Sequence, residues 1–126
     1  MKEIMRTVKD QLQGIVKYRF LRWKGKAEYP YFIGELHKDG SGDESGESEY
    51  YFLLTGFYRG DDVMELYDAA EKIEAVFPED TGRLFHGRNG CMLISLDSIL
   101  PDLSDTDTEI TKIQITLKVK RWKGKE

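Results

Sequence analysis

Residues 29–77 constrain the fold most, because two aromatic strand patterns there are followed directly by a helix pattern. The first strand pattern, 31–37, follows Pro30, and proline is tolerated at the start of a strand. The second, 49–59, is apolar or aromatic on both faces, as expected of a central strand covered in part on both sides. Residues 38–48 between them are acidic and rich in Gly and Ser, so we expect a mobile loop.

Two segments have the 3.6-residue apolar spacing of amphipathic helices. The first covers residues 2–15, with Gly14 marking its end. The second begins after Asp61, with Asp62 and Glu65 in a pair resembling a capping box, and Pro78 stops it. The stripe that this second helix is expected to bury consists of Val63, Tyr67, Ala70, Ile73, Val76 and Phe77.

The remaining strand patterns are 17–24, 91–96 and 111–121, with loops expected at 79–90 and 97–108. Residues 111–121 alternate most cleanly, which places four aliphatic side chains inward and lysines outward. The inward set is Ile113, Ile115, Leu117 and Val119. The element order predicts one α+β domain over 1–126, a mostly antiparallel sheet of about five strands with two helices packed on one face.

A single cysteine, Cys91, excludes an intrachain disulfide, which fits a reducing compartment. The sequence has no signal-peptide pattern and no apolar run near the roughly 20 residues that span a bilayer. We therefore expect a soluble intracellular protein.

Charge is segregated along the chain although the formal net charge is only −4. Residues 1–26 carry eight Lys/Arg and two Asp/Glu, residues 27–111 carry five and twenty, and residues 112–126 carry six and one. One interpretation is that these are solvated surfaces that neutralise each other in part. The other is two faces with different partners, of which the acidic one repels nucleic acid.

The sequence lacks a recognisable catalytic, metal or cofactor motif. His37 closes a strand, His86 lies in a Gly-rich segment and Cys91 begins a strand, a scattered set that is more typical of structural residues. Three such ligands are too few for zinc. The acidic segment from Asp39 lacks the Gly and Glu of a calcium-binding loop at their required positions. We expect no enzyme activity, no cofactor and no metal.

A nucleic-acid interface is the alternative from another functional class. If the first and last strands lie close together, their basic and aromatic side chains form one patch: Lys17, Arg19, Arg22, Trp23, Lys112, Lys118, Lys120 and Trp122. The sequence pI of about 5.3 argues against it. The pentapeptide Arg-Trp-Lys-Gly-Lys occurs at 22–26 and 121–125, which fits either chance or a duplicated edge strand.

Four segments together resemble the small tail terminator, or tail completion, proteins of long-tailed bacteriophages and prophages. They are residues 29–36, 52–60, 73–78 and 113–123, and the likeness extends over about residues 4–123. The most diagnostic part is Leu-Thr-Gly-Phe-Tyr-Arg-Gly at 54–60, followed by a helix. The acidic stretch at 97–109 departs from the family pattern.

This resemblance implies a structural protein that caps the head-proximal end of the tail tube, stops its polymerisation and helps to join tail to head. The implied partners are the tail tube protein, a head-completion or connector protein, and further copies of the chain in a hexameric ring. The resemblance implies DNA only as passing cargo, and no membrane. The implied location is the host cytoplasm during assembly and then the virion tail.

The candidate partner-binding residues are Asp39, Asp43, Glu44, Glu47, Arg59, Arg83, Arg88, Lys118, Lys120 and Trp122. Arg59 has a plain structural alternative, an ion pair with Asp61 or Asp62. The acidic middle of the chain is expected to line the DNA channel of the ring, because like charge repels the phosphate backbone. Another head–tail joining protein or a tail tube subunit remains the alternative within the same class.

Overall fold

The computed structural model describes residues 1–39, 47–87, 90–102 and 109–123. In chain order the elements are α1 (Lys2–Leu12), β1 (Tyr18–Phe20), β2 (Tyr31–Asp39), β3 (Glu47–Arg59), α2 (Met64–Val76), β4 (Arg83–Gly87), β5 (Gly90–Asp102) and β6 (Ile110–Lys123). The six strands form one sheet in the order β1-β2-β3-β6-β5-β4. The predicted α+β class is confirmed.

The sheet differs in detail from the prediction of about five mostly antiparallel strands. Residues 83–87, predicted as loop, pair with β5 as a sixth strand, and β1 runs parallel to β2. β5 also continues through part of the predicted acidic loop to Asp102, after an irregularity between Leu96 and Ser98. β4 was missed because it is an edge strand with little burial, and such a strand carries no apolar alternation.

The core lies between the two helices and one face of the sheet, as predicted. The four inward residues of β6 are fully buried, which confirms the clearest strand pattern of the sequence. Both helices contribute a stripe to the same cluster: Ile4, Val8 and Leu12 from α1, and Leu66, Ala69, Ala70 and Ile73 from α2.

The predicted buried stripe of α2 is wrong at Tyr67, whose side chain remains 37% exposed. Leu66 is fully buried instead and packs over Gly56 of β3, where an added Cβ would lie 3.0 Å from Leu66 Cδ1. The missing side chain at Gly56 lets the helix approach with Leu66 inward, so the helix is rotated relative to the prediction. The helix start also differs, since Val63 is the N-cap and Asp62 Oδ1 accepts a hydrogen bond from the Met64 N–H at 3.1 Å.

α1 contacts both edges of the sheet, so the sheet curls around it. Arg6 borders Arg19 of β1 on one side and His86 of β4 on the other. At the start of α1, Arg121 of β6 donates a hydrogen bond to Glu3 at 2.8 Å. In the described part of the chain no helix is long and apolar enough to cross a membrane.

Candidate interaction surfaces

Among the described residues, no helix or strand covers the sheet face opposite the helices. At one end of this face, the rings of Trp23 and Tyr29 contact Tyr31, which stacks on Phe57. Alternation along β2, β3 and β5 points Ile33, Leu53, Phe57 and Leu93 toward this side, where each is only partly buried. We call this the open face. Leu53 stands opposite Thr116, Phe57 opposite Lys112 and Leu93 opposite Lys120, so polar side chains of β6 lie between these apolar ones. A face that mixes partly buried apolar side chains with polar ones has the composition of an interaction surface.

Five of the predicted partner-binding residues converge at one end of the open face. Glu47 of β3 stands opposite Trp122 of β6 in the register of the two strands. Asp39 of β2 stands opposite Glu49, and Glu49 stands opposite Lys120. The members of this cluster are Asp39, Glu47, Lys118, Lys120 and Trp122. Acidic side chains of β2 and β3 therefore stand beside basic side chains and one tryptophan of β6.

Two other predicted residues lie apart from this cluster. Arg59 is at the far end of β3, about 40 Å from Glu47 at the usual strand rise. Its guanidinium forms an ion pair with Glu109, not with the predicted Asp61 or Asp62. Arg83 lies on β4 and donates a hydrogen bond to Gln11 of α1 at 3.0 Å.

The remaining candidates, Asp43, Glu44 and Arg88, lie outside the described residues. Of the twenty Asp/Glu in residues 27–111, the segment expected to line a channel, four lie outside them.

The basic patch predicted for nucleic acid does not form as one surface. β2 and β3 stand between β1 and β6, so the lysines of β6 are three strand spacings, roughly 14 Å, from β1. The duplicated-edge-strand interpretation also fails, because residues 22–26 follow β1 outside any strand and Arg121 belongs to the central strand β6.

A groove that was not predicted runs between α1 and the edge strand β1. Its volume is about 460 Å³. The lining residues of this α1–β1 groove are Met5, Arg6, Lys9, Tyr18, Arg19 and Phe20. The Arg19 guanidinium donates to the Tyr18 carbonyl oxygen at 2.9 Å and lies 4.9 Å from the centroid of the Trp23 ring. The groove therefore has an apolar floor and three cationic side chains at its rim.

The solvent side of α2 carries a second unpredicted surface. Met64, Tyr67, Asp68 and Glu71 are exposed at i, i+3, i+4 and i+7, which places them on one side of the helix. We call this set the α2 stripe. Met64 is 60% exposed, a high value for a large apolar side chain. Residues 61–80 carry eight Asp/Glu and one Lys, so the stripe lies in a strongly acidic surface.

The candidate catalytic residues occupy two separate places. His86 and Cys91 stand opposite each other in the β4–β5 pair, a proximity that the sequence did not indicate. His37 is on the surface with Nε2 2.9 Å from Glu35 Oε2. Over the described ranges there is no group of three or more His, Cys, Asp or Glu that could hold a metal ion.

Burial or pairing changes the pKa values of several groups, of which Tyr18 and Glu3 bear on the contacts of the helix side. The Tyr18 hydroxyl is buried without a hydrogen-bond partner, and burial raises the pKa of its phenol well above the usual value. The hydrogen bond from Arg121 lowers the pKa of the Glu3 carboxyl. The unpaired Tyr18 hydroxyl lowers the free energy of unfolding, whereas the pair of Glu3 with Arg121 fixes the start of α1 to the sheet.

No family model and no curated protein matches this chain. Among solved structures, 20 chains match, and one of them superposes with a TM-score of 0.73 at 14% identity, over 100% of this chain and 99% of that chain. At this identity the likeness concerns the fold alone. It shows that the whole chain, and not a part of it, adopts an arrangement found in another protein.

Proposed function

We propose that this chain is a tail terminator, or a closely related head–tail joining protein, of a long-tailed phage or prophage. In this role it caps the head-proximal end of the tail tube, stops its polymerisation and helps to attach the head. The resemblance of residues 4–123 to that family suggests the role. The structural observation that supports it is the open face, a sheet face of mixed apolar and polar side chains whose charged end holds five of the predicted contact residues.

An assembly role fits the distribution of polar and apolar side chains. Interfaces have apolar and aromatic centres with polar rims, and Tyr, Trp and Arg contribute most of their binding energy. The open face has side chains of both kinds, with Leu53 in the middle of β3, Phe57 toward the Arg59 end, and Lys120, Glu47 and Trp122 at the opposite end. A tail tube or connector ring offers a large partner for a surface of this kind.

A ring on the tail also requires each subunit to use two different surfaces. Contacts between identical subunits in a ring are head to tail, so one patch of a subunit meets another patch of its neighbour. The chain offers such a pair on the helix side in addition to the open face. The acidic charge of the middle segment is compatible with DNA passing through without adhering.

The test is electron microscopy of particles from the phage or induced prophage with an early stop codon in this gene. Overlong tails, or tails separate from full heads, are expected. Restoring the intact gene on a plasmid should restore joined particles of normal tail length. Normal tails in the mutant, or particles without any tail, would refute the terminator role, and unchanged particles would exclude any assembly role.

Charge changes on the open face provide a second test. Lys118→Glu combined with Lys120→Glu should fail to rescue the stop mutant, because the charged end of the face is reversed. Lys38→Glu combined with Lys72→Glu makes the same change in net charge at exposed positions on the helix side and should rescue it. Rescue by both pairs would show that this end of the open face is not a contact.

A further inference from the structure

We propose that the α2 stripe of one copy docks into the α1–β1 groove of a second copy of this chain. The inference deepens the proposed function, because it identifies the contact by which subunits of the ring would hold one another. The two surfaces are different parts of the chain, so the contact is head to tail and can continue from copy to copy.

Opposite charge on the two surfaces is the first argument. The segment that contains the groove, residues 1–26, carries eight Lys/Arg and two Asp/Glu. The segment that contains the stripe, residues 61–80, carries one Lys and eight Asp/Glu. Both segments lie entirely within the described residues. Two copies therefore attract through these surfaces, whereas groove against groove or stripe against stripe repels.

The form of the two surfaces is the second argument. Exposed residues at i, i+3, i+4 and i+7 are the contacts by which a helix lies in a groove. In this docking, Met64 and Tyr67 supply the apolar part and face Met5 and Phe20 on the groove floor. Both partners thus have an apolar centre with charge beside it, and the charges are of opposite sign.

The charged contacts follow from the same alignment. Asp68 and Glu71 on the stripe correspond to Arg6 and Lys9 on the exposed side of α1. Arg19 completes the basic rim from β1, where its position is fixed by the hydrogen bond to the Tyr18 carbonyl. The open face takes no part in this contact and stays available to the neighbours above and below a ring.

Two variants reverse the charge of one surface each. The stripe variant carries Asp68→Lys and Glu71→Lys, and the groove variant carries Arg6→Glu and Lys9→Glu. Matched controls change the same charges outside both segments: Asp39→Lys with Asp97→Lys for the stripe, and Lys118→Glu with Lys120→Glu for the groove. Circular dichroism and thermal unfolding establish that each variant is folded before association is measured.

Sedimentation and native mass spectrometry then measure association up to about 1 mM, where contacts with millimolar dissociation constants are populated. The intact chain should associate at low salt and dissociate at high salt, because screening weakens charged contacts. Each surface variant alone should have a dissociation constant at least about tenfold higher than that of the intact chain. The controls should associate as the intact chain does. Mixing the two variants should restore association, because every groove then meets a stripe of opposite charge.

Three results would overturn the inference: an intact chain that stays monomeric throughout, a surface variant that associates like the intact chain, or a mixture that does not recover. If the groove binds only a different protein, the intact chain stays monomeric. Failure of the proposed function is a separate outcome. If the chain and its variants associate as expected but the stop mutant has normal tails, the contact between copies is supported and the terminator role is refuted.

Discussion

Replacing Tyr18 by phenylalanine is expected to stabilise the protein. Tyr18 is only 8% exposed, and its hydroxyl is buried without a hydrogen-bond partner. The hydroxyl lies under Gly34 of β2, where an added Cβ would be 2.7 Å from it. The hydroxyl therefore lies in the packed layer between the sheet strands and gives up its hydrogen bonds to water.

The size of the effect follows from two opposing contributions. An unsatisfied buried hydroxyl costs about 1–3 kcal/mol relative to water. Phenylalanine removes that cost but leaves a void of one oxygen atom, which loses a few dispersion contacts of about 0.1–0.2 kcal/mol each. We expect a net gain of about 1 kcal/mol, which corresponds to a rise in Tm of about 3–5 °C for a domain of this size.

Urea unfolding of the Tyr18→Phe protein measures this gain, with Tyr58→Phe as the matched control. Tyr58 is nearly as buried, at 7% exposed, but its hydroxyl is not among the buried polar atoms without a hydrogen-bond partner. The control should not gain stability, because it relieves no unsatisfied buried hydroxyl. A Tyr18→Phe protein that is less stable than the intact chain would refute the reasoning, since the hydroxyl would then have a partner.

Alkaline titration gives an independent check on the same residue. Burial raises the pKa of Tyr18 in the folded state, whereas the phenol in the unfolded chain titrates near 10. The unfolded state therefore loses its proton first. The folded state keeps its full advantage below about pH 10 and loses it as the pH rises through the folded pKa. Tyr18→Phe removes this dependence, so its stability should fall less steeply above that pH.

Three further substitutions test other details of the structure. Gly34→Ala should destabilise by about 1–3 kcal/mol in urea, because the new Cβ would lie 2.7 Å from the Tyr18 hydroxyl; an unchanged midpoint would mean that the layer can yield. Leu21→Gly should raise the Tm slightly, because the φ of 67° places Leu21 in the left-handed region that favours glycine, and the side chain is 65% exposed. A lower Tm would show that packing of the leucine side chain outweighs this backbone strain. Glu3→Gln should reduce stability at neutral pH, because it removes the ion pair with Arg121. The difference from the intact chain should disappear as the pH falls below about 4.5 through the lowered pKa of Glu3, since protonation then breaks the pair in the intact chain too. A difference that stays constant with pH would refute the pairing.

Local sequence patterns predicted those elements that bury one complete face. The alternation of β6 and the apolar spacing of α1 survive in the structure because the buried positions repeat without interruption. β4 lacks such a repeat, since as an edge strand it is covered by little else. The parallel pairing of β1 with β2 depends on where the chain returns after residues 21–30, which no local pattern encodes.

The candidate surfaces were predictable only where neighbouring strands bring outward residues into register. Lys120 and Trp122 were identified from the alternation of β6, and β3 then places Glu49 and Glu47 opposite them. The α1–β1 groove had only an indirect signal, the excess of basic residues in 1–26, because its lining comes from a helix and a strand whose contact is tertiary. The α2 stripe was missed for a different reason: Tyr67 was assigned to the core, and Gly56 decides that Leu66 goes there instead.

The position of α1 links the groove to the curl of the sheet. A flat sheet would leave both edge strands open, but here α1 lies beside β1 and β4 at once, with Arg6 between Arg19 and His86. The helix can do this only because the sheet curls far enough to bring its two edges toward one another. The groove at the β1 edge is therefore a product of the whole fold and not of a local motif. A partner helix that enters it extends the same packing, helix against sheet edge, from one subunit to the next.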